Sequence, residues 1–344
     1  MSTTSSSLPV VLVTGCTGLL GRFIAEKFLD AGCRVKGLRR PGSSPPLAIF
    51  FGRIEWVAGD LLDIPSLETA LADVDWVVHA AAIVSFSPRD HKRMYEANVV
   101  GTANVVNACL KTRNVKRLCH VSSVAAIGRV TKRVAVSQGK EVVVDEEAKW
   151  ENSPFNSYYA KTKYWAELEV WRGVAEGLPA VIVNPSVVLG VGDWHRSSTR
   201  IFKYVWDEKL FYAEGVLNYV DVRDVAEIIF LLTNSSISSK RFILNAGNTT
   251  YQALFNRIAD CFRKRRPFLR VSPAMAQLLW RMEWLRSKLT GQPPLITRET
   301  AQLANTLFRF DNQKIHRELN FRFRSIEDTV EWCCTGIDPR NSNK

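Results

Sequence analysis

The sequence predicts an α/β protein, a Rossmann-type doubly wound parallel sheet followed by a smaller, mostly helical C-terminal lobe. Three observations predict it. Short runs rich in β-branched residues alternate with segments of helical apolar spacing from Val10 to Val183, the pattern of parallel strands joined by right-handed helical crossovers. The first such unit breaks on a glycine-rich turn, Thr14-Gly15-Cys16-Thr17-Gly18-Leu19-Leu20-Gly21. Small or polar residues then close strand after strand, where open α/β sheets take their ligands.

Residues 10–14 read as the first strand and 19–29 as a helix, apolar at Leu20, Phe23, Ile24 and Phe28. Strand, glycine turn and helix aim free backbone N–H groups and the positive end of a helix dipole at a diphosphate. The spacing Gly15-x-x-Gly18-x-x-Gly21 differs from the familiar G-x-G-x-x-G. Residues 34–38 form a second strand, ending in Arg39-Arg40 and a Pro/Gly/Ser loop at 41–46. A third strand, 54–58, is closed by Gly59-Asp60-Leu61-Leu62-Asp63, and Pro65 starts a short helix through Leu71. A fourth strand, 75–79, runs into Ala80-Ala81-Ala82, and 91–113 carries helical spacing throughout. The fifth strand, 117–121, ends in Ser122-Ser123, with a loop of mixed charge to about Trp150. A helix over about 156–176 precedes a sixth strand at 180–183.

After Pro185 the rhythm loosens. Residues 218–226 give a short strand and a helix, 241–244 another strand, and the chain from Thr249 is mostly helical and irregular. The expected division is a nucleotide-binding domain at 8–184 and a substrate-binding lobe at 185–340, with 221–245 packing back on the sheet.

Composition narrows the class. The 344 residues carry 46 Lys and Arg against 34 Asp and Glu, a net charge of +12. Basic residues are spread along the chain, so no basic run accounts for the charge and a nucleic-acid partner is not expected. Seven cysteines without paired C-x-x-C spacing fit a reducing compartment, and no metal site is expected. Residues 2–7 are polar, unlike a signal peptide, and no stretch reaches the ~18–20 apolar residues of a membrane span. The expectation is a soluble, cytoplasmic protein acting on a small molecule.

Three constellations carry chemistry. In Tyr158-Tyr159-Ala160-Lys161-Thr162-Lys163, Tyr159 and Lys163 are four apart and share a helix face. A phenol with a pKa of about 10 needs stabilisation of its phenolate to work near neutrality, and a neighbouring ammonium supplies it. Tyr158 has only Thr162 at that offset. Ser122-Ser123 closes the fifth strand, where a hydroxyl can bond a substrate carbonyl or alcohol. Third, an NAD-preferring site wants a carboxylate about 20 residues past the glycines. This chain has Arg39 and Arg40 there, which suit the 2′-phosphate of NADP.

These motifs occur in order with Asn184-Pro185-Ser186-Val187-Val188-Leu189-Gly190 and Val220-Asp221-Val222-Arg223-Asp224. Together, over residues 8–335, the chain resembles the extended short-chain dehydrogenase/reductase family, also called the NAD-dependent epimerase/dehydratase family. It looks closest to the dihydroflavonol-reductase-like and 3β-hydroxysteroid-dehydrogenase-like branch. The resemblance implies a catalytic centre of Ser123, Tyr159 and Lys163, with Asn98 supporting the lysine. It implies a cofactor site at Gly15, Thr17, Gly18, Leu19, Leu20, Gly21, Arg39, Arg40, Asp60, Leu61, Ala80, Ala81, Ala82, Pro185 and Val188, shared with Tyr159 and Lys163. The family's dehydratases carry an Asp-Glu pair after the serine; Val124-Ala125 stands here instead. The expected activity is hydride transfer between NADP(H), preferred over NAD(H), and a secondary alcohol or ketone. The alternatives are nucleotide-sugar epimerisation and NADP(H) binding without turnover, and a homodimer is left open. Residues 83–86 and 192–195 are expected to line the substrate pocket, His195 being a surface residue. A segment over 273–289 reads as a helix over the cleft or, alternatively, an interfacial membrane helix.

Overall fold

The structure, a computed structural model, describes residues 8–42, 52–128, 142–153, 156–195, 197–271, 275, 308–338 and 340. Its centre is a seven-stranded sheet, all of whose pairings are parallel. In chain order the strands are β1 (Val10–Thr14), β2 (Arg34–Arg39), β3 (Glu55–Ala58), β4 (Trp76–His79), β5 (Arg117–Val121), β7 (Ala180–Pro185) and β11 (Lys240–Leu244). Across the sheet they run β3-β2-β1-β4-β5-β7-β11. The order reverses between β1 and β4, which opens a crevice at the carboxyl ends of those strands.

Both faces are covered, so the inner strands β1, β4, β5 and β7 are buried rather than alternating with solvent, while the edge strand β3 stays partly exposed. In β1, Val11 and Val13 face a core completed by Ile24, Ala25 and Phe28 of α1 (Leu19–Asp30) and Val225, Ile229 and Leu232 of α7 (Val222–Thr233). Val10 and Leu12 face the opposite core, with Leu67 and Leu71 of α2 (Ile64–Leu71), Val105 and Val106 of α4 (Gly101–Thr112) and Val170 of α5 (Tyr158–Ala175). Phe28 is fully buried, so truncating it to alanine costs about 3–5 kcal/mol.

The last strand and α7 both come from beyond Pro185, and they complete the seven-stranded sheet and its covering. The remaining C-terminal elements form a third core around Phe202, Leu217, Leu254, Ile258, Phe262 and Val330. It packs against a small sheet of β8 (Val187–Leu189), β10 (Val216–Asp221) and β12 (Gly247–Thr250).

Two local features depart from the sequence expectation. The helix expected over 91–113 is continuous but not uniform: α3 (His91–Tyr95) passes through a five-residue π-helical segment, Glu96–Val100, into α4. Inside the expected mixed-charge loop, β6 (Val142–Val144) pairs in parallel with β14 (Phe308–Phe310). No helix among the described residues is long and apolar enough to cross a membrane. Apart from Met275, the segment 273–289 lies outside the described residues.

Candidate active site

The site begins at the turn after β1. Gly15 has φ +76°, and a Cβ there would sit 2.8 Å from the Ala81 nitrogen. Only glycine allows this conformation against the end of β4. The Gly18 N–H bonds the Gly15 carbonyl at 2.9 Å, and the Thr14 hydroxyl accepts from the Ala81 N–H at 3.1 Å. At Gly21 a Cβ would fall 2.1 Å from the Gly15 oxygen, so α1 rests directly on the turn. The N-cap of α1 is Gly18, which offers no side-chain cap, and the first turn carries no acid. Its leading N–H groups therefore face the crevice without a side-chain acceptor, a fit for an anion at a positive helix end.

The neighbouring strand ends extend this cradle. Arg39 closes β2 and its carbonyl accepts from the Gly59 N–H at 2.9 Å. Arg40 follows, exposed. The Asp60 carboxylate receives the Leu62 N–H at 2.9 Å. Leu61 lies against Gly101, whose added Cβ would be 3.1 Å from the Leu61 Cβ. The Asn104 amide fixes the Leu61 carbonyl at 2.8 Å. Leu19 lies close to Gly190 and Gly192 in the segment after β8, which follows Pro185 and Val188 in the chain.

Ser123 sits just past β5 and caps the short 3-10 turn Val124–Ile127, its hydroxyl accepting from the Ala125 N–H at 3.2 Å. Helix α5 starts at an N-cap Ser157, which accepts from the Ala160 N–H at 3.0 Å and sets the phase of the helix. That phase brings the half-buried Tyr159 phenol beside the Ser123 hydroxyl. Tyr158, one position earlier, instead stacks on His91 with ring centroids 3.8 Å apart. Lys163 is 2% exposed, and its ammonium donates to the Val121 carbonyl at 2.9 Å.

Burial pushes the Tyr159 phenol above its usual range, and the neighbouring Ser123 hydroxyl opposes that. In this arrangement the Lys163 ammonium is held on the Val121 carbonyl, and the Ser123 hydroxyl is the phenol's neighbour. Burial brings the Lys163 ammonium down to about 8, opposed by the charge of Glu167. Asn98, in the π-helical segment, holds both main-chain groups of Ile83 and donates to Thr162 at 3.1 Å. Its link to Lys163 therefore runs through the adjacent residue on α5, with no direct bond to the ammonium among the described contacts. His195 is exposed on the loop after Gly192.

Several buried polar groups escaped the sequence reading. Thr14, His79 and His120 are direct neighbours across β1, β4 and β5. His79 bonds the Thr14 hydroxyl at 2.8 Å and the Thr102 hydroxyl at 3.0 Å. Glu167 and Asn184 lie beside Lys163 and Ser123. The only sequence signal for Glu167 is its position: Tyr159, Lys163 and Glu167 form an i, i+4, i+8 row.

A glycine cradle at a helix N-terminus, a basic strand end and a Ser–Tyr–Lys cluster at one sheet edge define a class, the nicotinamide-dependent oxidoreductases of Rossmann fold. Residues 11–247 match the NAD dependent epimerase/dehydratase family, and the chain belongs to it. A Synechocystis sp. relative named as a dihydroflavonol 4-reductase is 29% identical over 333 residues, 93% of each chain. Cinnamoyl-CoA reductase 1 of Petunia hybrida is 33% identical over 253 residues, 70% of this chain and 73% of that one. The crystal structure of gox2253 superposes with a TM-score of 0.78 at 30% identity, covering 95% of this chain and 97% of that one. The protein is thus an NAD(P)-dependent oxidoreductase of the extended short-chain dehydrogenase/reductase family.

Proposed function

We propose that this enzyme reduces the carbonyl of a small organic substrate to a secondary alcohol, and runs the reverse oxidation, with NADP(H) preferred over NAD(H). The observation that carries the reading is the buried Lys163 ammonium, held on the Val121 carbonyl, with Tyr159 one turn before it on α5 and the Ser123 hydroxyl beside the phenol. Gly15, Gly18 and Gly21 with the first turn of α1 would hold the diphosphate; Asp60 and Leu61 would hold the adenine end. Arg39 and Arg40 would receive a 2′-phosphate. Bound there, the cofactor supplies the hydride.

The protein's own part is proton transfer and orientation. Ser123 bonds the substrate oxygen and polarises it. Tyr159 donates its proton to that oxygen as negative charge develops, and burial keeps the phenol protonated until then. Lys163 stabilises the phenolate that results, and its attachment to Val121 fixes it below the sheet edge. In place of a dehydratase's acid pair stands Val124-Ala125, which leaves carbonyl reduction without a following elimination. The reductase names of two full-length or nearly full-length relatives point the same way.

The test is a panel of ketones, aldehydes and nucleotide sugars, with NADPH and NADH oxidation followed separately. Turnover of a carbonyl compound that falls ~10²–10⁴-fold in Tyr159→Phe and survives in Tyr158→Phe is the expected result. Turnover restricted to nucleotide sugars, without net cofactor oxidation, would replace reduction by epimerisation.

A further inference from the structure

We propose that Glu167 is a positioning residue for the Ser123–Tyr159–Lys163 centre: with Asn184 it holds the Ser123 main chain, and its charge balances the buried Lys163 ammonium. The inference rests on the Ser–Tyr–Lys reading above and deepens it.

The geometry is specific. Glu167 is 2% exposed and lies one turn beyond Lys163 on α5. Its Oε1 accepts from the Asn184 amide at 2.5 Å, and the same amide donates to the Ser123 carbonyl at 2.9 Å. The buried Ser122 hydroxyl, which makes no hydrogen bond of its own among the described residues, lies beside the same carboxylate. One carboxylate thus organises the end of β7 against the end of β5, where the Ser123 hydroxyl must meet the phenol. On its far side Arg241 of β11 stands 3.6 Å away.

An isolated buried carboxylate is costly, and a buried ion pair is commonly no better than apolar packing. Arg241 does not need Glu167 for its own satisfaction, since it donates to the carbonyls of Glu146 and Ala148. The placement of Glu167 is explained by what it does for the other cation. The titratable and charged groups around Lys163 are His79 of β4, His120 of β5, and Tyr159 and Glu167 of its own helix, with Arg241 behind Glu167. Of these, Glu167 alone opposes burial by stabilising the ammonium. Burial raises the Glu167 carboxyl itself, and Ser122, Asn184, Arg241 and Lys163 together favour its ionised form.

The experiment compares the wild-type enzyme with Glu167→Gln and Arg241→Lys. The Lys163 midpoint is read without cofactor or turnover, from the NMR shift of its ε-carbon, assigned by Lys163→Met. Glu167→Gln keeps the shape and hydrogen-bonding partners but removes the charge. It should lower the Lys163 midpoint from about 8 by about one pH unit, and move the falling alkaline limb of kcat to lower pH by the same amount. Arg241→Lys keeps the carboxylate and should lower neither. An unchanged Lys163 midpoint in Glu167→Gln overturns the inference, as does an equal downward shift in Arg241→Lys. Should the Gln variant fail to fold, the wild type decides: the Lys163 ε-carbon must show a second inflection where the Glu167 carboxyl titrates, and its absence overturns the inference. Tyr159→Phe run alongside keeps the two readings separate. Full activity in that variant sinks the Ser–Tyr–Lys mechanism, whereas the midpoints judge Glu167 alone.

Discussion

Lys163 combines near-complete burial with a positive charge, and its replacement should therefore be costly twice over. Lys163→Met removes the donor to Val121 and the charge that would stabilise a Tyr159 phenolate. Both turnover and nicotinamide-cofactor affinity should fall, by steady-state kinetics and calorimetry, whereas Tyr159→Phe should lose turnover alone. The arginines at the end of β2 make a separate prediction. A 2′-phosphate bound by a forked guanidinium gains about 1.5–3 kcal/mol per charged hydrogen bond. Arg39→Ser with Arg40→Ser should therefore weaken NADPH at least ~10-fold and leave NADH affinity nearly unchanged. Equal weakening of both cofactors would show that the arginines do not read the 2′ position. At this scale the sequence was legible wherever a motif has a fixed spacing. Gly15, Gly18 and Gly21 meet the conformations their spacing implies, and Tyr159 is distinguished from Tyr158 by its offset from Lys163. Glu167, Asn184 and His120 were not legible, because a buried polar residue declares itself only by what surrounds it.

The strand–turn–helix unit at the N-terminus separates two kinds of glycine. At Gly18 an added Cβ would lie 3.2 Å from the Gly15 oxygen, a contact that a small local shift relieves. Gly18→Val should therefore keep the fold and lose cofactor binding, since a branched side chain would stand over the N–H groups that face the diphosphate. At Gly21 the same addition meets the Gly15 oxygen at 2.1 Å, inside the packing of α1 on the turn. Gly21→Val should destabilise the protein by about 1–3 kcal/mol, the range for overpacking a core, with binding lost as a consequence. Urea titration beside calorimetry distinguishes the two, and equal stability losses would refute the distinction. The long helix over His91–Thr112 shows where periodicity misleads. Helical spacing foretells the helix but not its π-helical segment, where one extra residue re-aims the backbone. That segment places Asn98 against Ile83 and Thr162, and π-segments recur at functional sites.

Taken whole, the molecule buries two imidazoles beneath its active centre, and this makes its stability pH-dependent. Burial and the Lys163 charge lower His79 to about 3, and burial with the charges of Lys163 and His79 holds His120 well below 6.5. Both groups stay neutral in the folded protein while they protonate near 6.5 in the unfolded chain. The stability they contribute is complete above pH 6.5 and is lost as pH falls through the window below it. Each imidazole contributes a slope of up to about 1.4 kcal/mol per pH unit. Between pH 6.5 and 5, before most carboxylates titrate, the urea midpoint should fall steadily, and replacing both histidines should flatten that fall. A flat wild-type profile would show that the imidazoles are protonated in the fold. Within the contiguous cations of 263–266, Arg266 pairs with Asp260 and Lys264 faces Glu208.

By itself the sequence determined the class of fold, the order of strands and crossovers, the glycine cradle and the family. Those properties rest on local spacing, periods of 2 and 3.6 and turn chemistry, which neighbouring residues carry among themselves. Tertiary structure alone decided which strands became neighbours. It set Lys240–Leu244, already expected to return to the sheet, beside Ala180–Pro185, and it paired Val142–Val144 with Phe308–Phe310 across a large sequence separation. It also decided the electrostatics of the site. Tyr159 meets Ser123, Lys163 meets Val121 and Glu167 meets Asn184 only once β5, α5 and β7 are packed together. A charge takes its value from the dielectric and the partners around it, and those exist only in the folded chain.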